Sequence, residues 1–481
     1  MNDDRGGHDD QGGYGEPGGY QGREDGFVEY AYRPPARHSA MLAQDGGDED
    51  FPGEVRAPHD GWATERAEPQ FVPGVDEHEL PPQGRRAARM AREARARKTK
   101  RRRWIGVSAA LAVLVVLCVG AYGVLRLVFP ALFTPDPKDY SGNGLADVVV
   151  QVKDGDTTTD IASTLTQDNV VASTGAFLRA AKDNSGMATI QPGFYALRTE
   201  IPAKHAVQLM TSPAARVGQV VIPEGRQLSD VTTVSGHVTE GILTLIAHAS
   251  CVPVDGGGPK CVSVDQLRGA LAAADPRQIG VPTWAVDRVL KVHDPQRRFE
   301  GLIKAGTWNF DPTAAPEQIL KTLFTASTAA YNAAGLQTAG ADTGLSPYDT
   351  LVAASLVERE AHPADFAKVA RVIVNRLKVG QQLQFDSTVN YLLDRVEVAT
   401  TDKDRETQTP WNTYAMNGLP ATPIAAPGDD ALQAAENPAP GDWLYFVTVD
   451  KTGTTLFTAD YQQHLANITL ASKAGVLDSG R

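Results

Sequence analysis

The longest apolar run of the chain lies at residues 104–128, WIGVSAALAVLVVLCVGAYGVLRLV. About 20 apolar residues in a helix cross a bilayer core of about 30 Å, so the run predicts a single transmembrane helix. Arg126 is its one internal charge and lies near the far end, where a long side chain can reach the interface. Because the run begins only at residue 104, it is not expected to be a secretory signal peptide.

After a linker at residues 129–145, the apolar pattern predicts a small folded unit at residues 146–212. Its predicted elements are, in order, a strand at 148–152, helices at 157–165 and 176–181, and a strand at 193–197. This strand–helix–helix–strand order and the segment VKDGDTTTDIASTL resemble a LysM module, a small βααβ fold that binds glycans. The unit, called here the βααβ unit, therefore has two open roles, glycan binding and purely structural packing.

An intermediate part of the chain, residues 213–345, mixes strand, helix and loop patterns. A strand is predicted at 217–222, and Ser229 is expected to cap a short helix at 230–234. A longer helix is predicted at 315–326, before a connection rich in Gly, Ala and Thr. The pattern of this part indicates no particular function.

Residues 346–475 are predicted to form an α+β catalytic subdomain. Ser346 is a favourable N-cap and Pro347 a favourable first residue for a helix that ends near His362. The whole chain is therefore predicted to be α+β, with a single transmembrane helix, a LysM-like βααβ subdomain and an α+β catalytic domain.

A second helix of this subdomain is predicted at 365–379, with an apolar stripe along one face. Asn375 and Arg376 are expected to point away from that stripe. An extended piece follows, and its Asp386 is expected to cap the next helix. A later loop is dense in Pro, Gly, Asn and aromatic residues, which suits either sugar binding or a rigid connection.

The net charge of −12 is unevenly distributed along the 481 residues. Residues 1–83 are rich in Gly, Asp, Glu and Pro and poor in branched apolar residues, so we expect a disordered tail. Residues 84–103 form a basic segment directly before the apolar run. Such a position predicts a cytoplasmic tail and a region beyond about residue 130 outside the membrane. It also argues against nucleic-acid binding and for contact with the cytoplasmic membrane.

Two of the three cysteines, Cys251 and Cys261, bracket a Gly-rich loop, CVPVDGGGPKC. In an oxidising compartment this pair is expected to form a disulfide that closes the loop. The third, Cys118, lies within the apolar run. Four ligands at the usual spacing of a zinc site are not present, and neither a metal nor another cofactor is predicted.

Two carboxylates stand at the end of the first predicted helix of the catalytic subdomain, Glu358 and Glu360. At about 100° per residue they point to nearly opposite sides of the helix. Glu360 follows the apolar positions 353, 356 and 357, whereas Glu358 follows Ala354 and Ser355, a more polar strip. Desolvation on the apolar face would raise the pKa of Glu360 and suit it to act as a general acid. The simpler alternative is a helix end that turns one Glu toward solvent.

Several motifs then follow one another in the order of one family. They are the single span, the βααβ unit, AASLVEREA, VARVIVNRL, LQFDSTV, WNTY…GLP…PI..PG and WLYFV…LF…YQQHLANI. Over roughly residues 145–470 the chain resembles the MltG-type (YceG-like) endolytic murein transglycosylases. The resemblance implies cleavage of the MurNAc–GlcNAc β-1,4 bond inside a peptidoglycan strand, with a 1,6-anhydro-MurNAc end as product.

By this resemblance the catalytic residue is Glu360, acting first as general acid and then as general base toward the MurNAc 6-hydroxyl. No second catalytic carboxylate is required, unlike in most glycoside hydrolases. Five polar residues at motif positions are candidates for substrate binding: Asn375, Gln384, Asp386, Asn412 and Tyr414. For each of the five a structural role is an open alternative.

Three departures from the family bear on substrate preference more than on the reaction. After Glu300-Gly301-Leu302, the pair Ala305-Gly306 stands where the family has Pro-Asp. Near the end, Thr455-Leu456-Phe457 stands where the family often has a His before the Phe of its final strand. The cysteine-bracketed loop resembles an insertion.

The resemblance predicts a single-pass protein of the cytoplasmic membrane, with its catalytic region outside, that trims or terminates nascent glycan strands. Its expected partners are peptidoglycan strands and peptidoglycan synthases or proteins of the division or elongation machinery. The alternative function is a non-catalytic peptidoglycan-binding scaffold, and an ordinary hydrolase is a third option. A Ser nucleophile is not expected, because no Gly-x-Ser-x-Gly elbow is present.

Overall fold

The computed structural model describes residues 109–128, 136–233, 235–338, 340, 343–393 and 400–476. The predicted tail and basic segment lie outside these residues. Among the described residues, one helix is long and apolar enough to cross a membrane: α1 (Ala109–Val128), with a mean hydropathy of 2.4. The predicted apolar helix is therefore confirmed over its described part.

The βααβ unit has the predicted order of elements. They are β1 (Asp147–Val152), α2 (Thr158–Gln167), α3 (Thr174–Lys182) and β2 (Gly193–Arg198), followed by α4 (Ala203–Met210). β1 and β2 are antiparallel, with Val150 opposite Tyr195. Leu165, Phe177 and Ile201 are fully buried in a core that belongs to this unit alone.

Gly218 divides the strand predicted at 217–222 between two sheets. Its two parts are β3 (Arg216–Val217) and β4 (Gln219–Ile222), and β4 pairs antiparallel with β7 (Gly306–Asn309). β3 instead pairs with β2. Gly218 has a φ of +65°, and a Cβ at this position would lie 2.1 Å from the carbonyl oxygen of Phe310. Only glycine fits this bend, which leads the chain out of the βααβ unit.

The prediction of a short helix at 230–234 is wrong. Two short paired strands lie in this region, β5 (Val231–Thr232) and β6 (Val238–Thr239), ahead of α5 (Ile242–Ala249). The Asp230 carboxylate accepts hydrogen bonds from the Gly241 N–H at 2.7 Å and from the Thr244 hydroxyl at 2.6 Å. Asp230 therefore closes this hairpin at the start of α5, and Ser229 caps no helix.

Cys251 and Cys261 form the predicted disulfide. The loop that it closes is also held by paired backbone hydrogen bonds between Val252 and Lys260. The helices that follow are α6 (Val264–Ala273), α7 (Thr283–Lys291) and α8 (Pro316–Ala333). α8 is longer than predicted because its apolar stripe continues to the buried Tyr331.

The predicted catalytic subdomain is built around α9 (Pro347–Glu360), whose residues 351–357 are all buried. A helix that is apolar on all sides must be enclosed by other elements. The remaining elements are α10 (Phe366–Val379), α11 (Asp386–Asn390), α12 (Asp402–Glu406), α13 (Asp429–Glu436), β8 (Tyr445–Thr448), β9 (Thr455–Thr458) and α14 (Tyr461–Lys473). α9 packs against α10 and α13, and one hydrophobic core extends from Val220 to Ala435. The intermediate part and the catalytic subdomain therefore share a core.

Candidate active site

Glu360 is the last residue of α9, and the two ends of this helix set its position. At the start, the Ser346 hydroxyl accepts the Asp349 N–H at 3.1 Å, which confirms the predicted N-cap. At the other end the backbone becomes extended at Ala361, with φ −141° and ψ 167°. An apolar helix thus carries an acidic residue to the edge of the core.

The two carboxylates of α9 face different helices, as their spacing predicts. Glu358 Oε2 accepts a hydrogen bond of 3.0 Å from the N–H of Gly428, the N-cap of α13. Glu360 Oε1 accepts the N–H of Ser387, in the first turn of α11, at 3.3 Å. Each carboxylate therefore lies at the N-terminal end of a helix, where backbone N–H groups favour negative charge.

Burial raises the pKa of Glu360 above its ordinary value. Hydrogen bonding from Ser387 opposes this increase, the negative charge of Asp386 adds to it, and the positive charge of Arg359 lowers the pKa. A desolvated carboxyl with a backbone donor can hold a proton and is also stabilised after losing it. Both properties are needed by a residue that acts as acid and then as base.

The prediction that Glu358 lies on a polar strip is wrong. Ala354 and Ser355, one turn before it, are fully buried, and the Ser355 hydroxyl accepts the Ile424 N–H at 3.1 Å. Burial consequently raises the pKa of Glu358 as well. The chain around Ile424 and Gly428 covers this face of α9, so the two carboxylates differ in their partners more than in desolvation.

Asp386 lies beside the site but does not cap α11. It is the first residue of that helix, and no side-chain cap hydrogen bond is present. Its Oδ1 accepts hydrogen bonds from the Tyr414 hydroxyl at 2.7 Å and the Thr400 hydroxyl at 2.8 Å. Both of its oxygens accept from Arg405 Nη2 at 3.2 Å. The predicted cap is wrong because three donors from residues 400–414, in α12 and on either side of it, hold this carboxylate.

Tyr414 and Asn412 hold this network in place. Burial and the hydrogen bond to Asp386 raise the pKa of Tyr414, so the phenol remains a donor. Asn412 is buried, and its Oδ1 accepts the Tyr414 N–H at 3.0 Å. Its Nδ2 donates to three carbonyl oxygens, those of Asp404, Arg405 and Thr407, at 3.1, 3.0 and 2.7 Å. The Asn412 amide is thus engaged within the protein at the end of α12.

Asn375 and Gln384 have separate surroundings. Asn375 Nδ2 donates to the carbonyl oxygens of Gly441 and Trp443 at 3.2 and 2.9 Å, which fastens α10 to the segment before β8. Gln384 has a φ of +53°, a strained conformation for a residue with a side chain. Its N–H donates to the Thr413 carbonyl at 3.1 Å. Of the five predicted substrate-binding residues, Gln384 alone is exposed.

Arg376 is a site residue that sequence reasoning missed. It was expected to leave the apolar stripe of α10, but it is buried. Its guanidinium donates from Nε to the Leu444 carbonyl at 2.6 Å and from Nη1 to the Leu383 carbonyl. Burial lowers the pKa of Arg376, and the nearby Glu360 is among the groups that raise it. The available signal was a cation embedded in the apolar motif VARVIVNRL.

Glu300, in the segment before β7, is a further buried acid. It accepts the Leu228 N–H at 3.0 Å and the Tyr391 hydroxyl at 3.1 Å, and burial raises its pKa to about 7. The Tyr391 ring lies 6.1 Å from the Trp411 ring. Glu300 therefore ties the loop after β4 to the residue that follows α11. Among the residues that the structure describes, no group of three or more His, Cys, Asp or Glu side chains is placed to hold a metal ion.

The chain is similar to known proteins over this region. A protein of Bacillus subtilis strain 168, described as an endolytic murein transglycosylase, is 28% identical over 321 residues, which cover 66% of this chain and 82% of the relative. The crystal structure of a yceG-like protein from Listeria monocytogenes matches 66% of this chain and 98% of that chain, with 26% identity and a TM-score of 0.42. The pattern of the YceG-like family matches residues 150–470, well over half of the chain. The chain therefore belongs to the YceG-like family, as its motifs indicate.

Proposed function

We propose that the protein is a lytic transglycosylase that cleaves the MurNAc–GlcNAc β-1,4 bond within peptidoglycan strands and leaves 1,6-anhydro-MurNAc ends. The observation that carries the proposal is Glu360, a half-buried carboxyl of raised pKa that accepts a hydrogen bond from a backbone N–H at the start of a helix. The description of the Bacillus subtilis relative as an endolytic murein transglycosylase supports the same reaction.

In the first step Glu360 donates its proton to the glycosidic oxygen while the bond from that oxygen to C1 breaks. Positive charge develops at C1, where the N-acetyl group of the substrate can stabilise it. In the second step the Glu360 carboxylate accepts the proton of the MurNAc 6-hydroxyl, whose oxygen forms the new bond to C1. The enzyme regains its proton and no water is consumed. Burial favours the acid of the first step, and the Ser387 N–H stabilises the carboxylate that follows.

The five predicted polar residues divide into contact and positioning roles. We assign substrate contact to Gln384, because its side chain is exposed and its strained backbone fixes the direction in which it projects. Asp386 and Tyr414 form a half-buried polar wall whose negative charge raises the pKa of Glu360. Asn375 and Asn412 position the adjoining loops, since their amides are bound to backbone groups.

We further propose that α1 anchors the protein in the cytoplasmic membrane, with the N-terminal tail inside and the catalytic region outside. The Cys251–Cys261 disulfide supports this orientation, because disulfides persist in oxidising compartments. The basic residues before the apolar run support it as well. In this location the enzyme would trim or terminate nascent strands beside peptidoglycan synthases or other proteins of division or elongation.

The βααβ unit is proposed to hold the glycan strand as a LysM-like module. A cavity of about 520 Å³ lies beside α3 and α4 of this unit. Lys204 and Gln208 are among its lining residues and offer donors to sugar hydroxyl and carbonyl groups, whereas Arg179 is paired with Asp136. A separate binding unit would keep a long strand near Glu360 between cleavage events.

The test is digestion of purified sacculi by the full-length protein in detergent, with released muropeptides identified by mass spectrometry. The wild-type protein is expected to release products with 1,6-anhydro-MurNAc ends. Glu360→Gln is expected to lose activity by about 10²-fold or more, the range for a general acid. Glu358→Gln, the matched change two residues earlier, is expected to keep a measurable fraction.

Each alternative has its own signature in this assay. If wild type releases no more anhydro products than Glu360→Gln, the non-catalytic scaffold is the better explanation. Products with reducing ends, heavier by one water, would identify a hydrolase. Equal and complete loss from both Glu variants would contradict the different roles assigned to the two carboxylates.

A further inference from the structure

A second cavity, of about 670 Å³, lies between α8 and α13. One wall consists of small residues at the end of α8, namely Ala330, Ala333 and Ala334. The other is one face of α13, with Asp429, Leu432, Gln433 and Glu436. Asp429 and Glu436 are seven positions apart on α13, a rise of about 10 Å, so this wall is long enough for an extended peptide of a few residues.

Glu436, at one end of this cavity, has a carboxylate oxygen that no other described residue binds. Its Oε1 is shielded from solvent and has no hydrogen-bond partner among the described residues. Burial raises the pKa of Glu436. The residue as a whole is half-buried. A shielded acceptor without a donor is destabilising, so a ligand that brings a donor to this carboxylate is stabilised there.

The charges around the cavity favour a cation at the Glu436 end. The C-terminal end of α8 adjoins this carboxylate, and the last carbonyl groups of a helix carry partial negative charge. At the opposite end Lys304 is buried, with Nζ 2.6 Å from Asp429 Oδ1. The lysine charge is therefore paired with Asp429 and does not neutralise Glu436.

We propose that this cavity is a second substrate subsite that binds the ammonium group of a peptidoglycan stem peptide at Glu436. An ammonium group offers three donors to a carboxylate, and the alanine wall leaves room for the peptide backbone beside α13. The cavity is linked to the catalytic helix, because Gly428, next to Asp429, donates its N–H to Glu358. The inference rests on the proposed function and adds that the enzyme recognises the peptide as well as the sugar.

The test uses the full-length protein in detergent with three kinds of glycan strand. These carry native stem peptides, stem peptides with acetylated amines, or no peptides after treatment with an amidase. Wild type is expected to lose about tenfold in kcat/KM when the amines are acetylated, as for one charge-assisted hydrogen bond. Glu436→Gln is expected to lose a similar factor on native strands and to be insensitive to acetylation. Glu317→Gln, an exposed change on α8, is the matched control and should behave as wild type.

The acetylation of the substrate tests the subsite even if Glu436→Gln folds poorly. An unchanged wild-type rate on acetylated strands would overturn the inference. So would an equal loss for Glu436→Gln on native and acetylated strands. In either case, anhydro products from amidase-treated strands would leave the proposed function standing. If wild type forms no such products from any strand, the proposed function fails and the subsite fails with it.

Discussion

Replacement of Glu300 by Gln is expected to flatten the dependence of stability on pH. Glu300 is buried and accepts hydrogen bonds from the Leu228 N–H and the Tyr391 hydroxyl. Gln keeps one oxygen for the Leu228 N–H, and its NH2 group can donate to the Tyr391 hydroxyl oxygen, whose own hydrogen then turns away. Gln has no ionisable proton in this pH range. The variant therefore removes a titration while it changes little in shape.

The direction and magnitude of this pH effect on stability follow from the pKa values of Glu300 in the unfolded and folded chain. In the unfolded chain it ionises near its ordinary value of 4.5, whereas burial raises the folded value to about 7. The stability contributed by protonated Glu300 is fully present below pH 4.5, declines as pH rises, and is lost above pH 7. At about 1.4 kcal/mol per pH unit, this interval amounts to about 3 kcal/mol.

The measurement is the free energy of unfolding in urea at several pH values between about 4.5 and 7.5. Intrinsic fluorescence reports on the region, because Trp411 lies against Tyr391. Relative to Glu300→Gln, the free energy of unfolding of wild type is expected to fall by about 3 kcal/mol as the pH rises across this range. The control variant Glu317→Gln, changed at an exposed position, should show the same pH dependence as wild type. Parallel curves for wild type and Glu300→Gln would refute the raised pKa of Glu300.

Three further predictions concern the active site. Asn412→Asp keeps the side-chain shape but places an acceptor against three carbonyl oxygens. We therefore expect the free energy of unfolding in urea to fall by about 3 kcal/mol or more. An unchanged free energy of unfolding would contradict the positioning role of Asn412. Gln384→Ala is expected to raise KM for glycan strands about tenfold or less in steady-state kinetics, without loss of stability. A lower stability with an unchanged KM would show that Gln384 has a structural role and does not contact the substrate. In the proposed mechanism Glu360 acts first as an acid of raised pKa, so kcat should fall as pH rises through a midpoint above 4.5. A midpoint at or below 4.5 in the pH–rate profile would contradict the proposed acid.

Local signals in the sequence predicted the elements that depend on near neighbours. The cap at Ser346, the order of the βααβ unit and the end of α9 near His362 all rest on residues within a few positions of one another. Opposite directions for Glu358 and Glu360 also follow from helical geometry alone. These predictions were confirmed because hydrogen bonding and apolar periodicity within one element do not require knowledge of the rest of the chain.

Contacts between distant segments decided what local patterns could not. The polar strip predicted under Glu358 is buried because Ile424 and Gly428, about 70 positions away, pack over it. Asp386 does not cap its own helix, because it accepts hydrogen bonds from donors farther along the chain, such as the Tyr414 hydroxyl. Arg376 is buried where its guanidinium donates to the Leu444 carbonyl.

By itself, then, the sequence determined the family, the order of helices and strands, and the acidic residue at the end of α9. Only the tertiary structure decided which polar side chains surround that residue, and that both carboxylates of α9 have raised pKa values. The physical reason is that desolvation and hydrogen-bond partners depend on whatever covers a surface. In this protein the covering segments come from 27 to 70 positions farther along the chain.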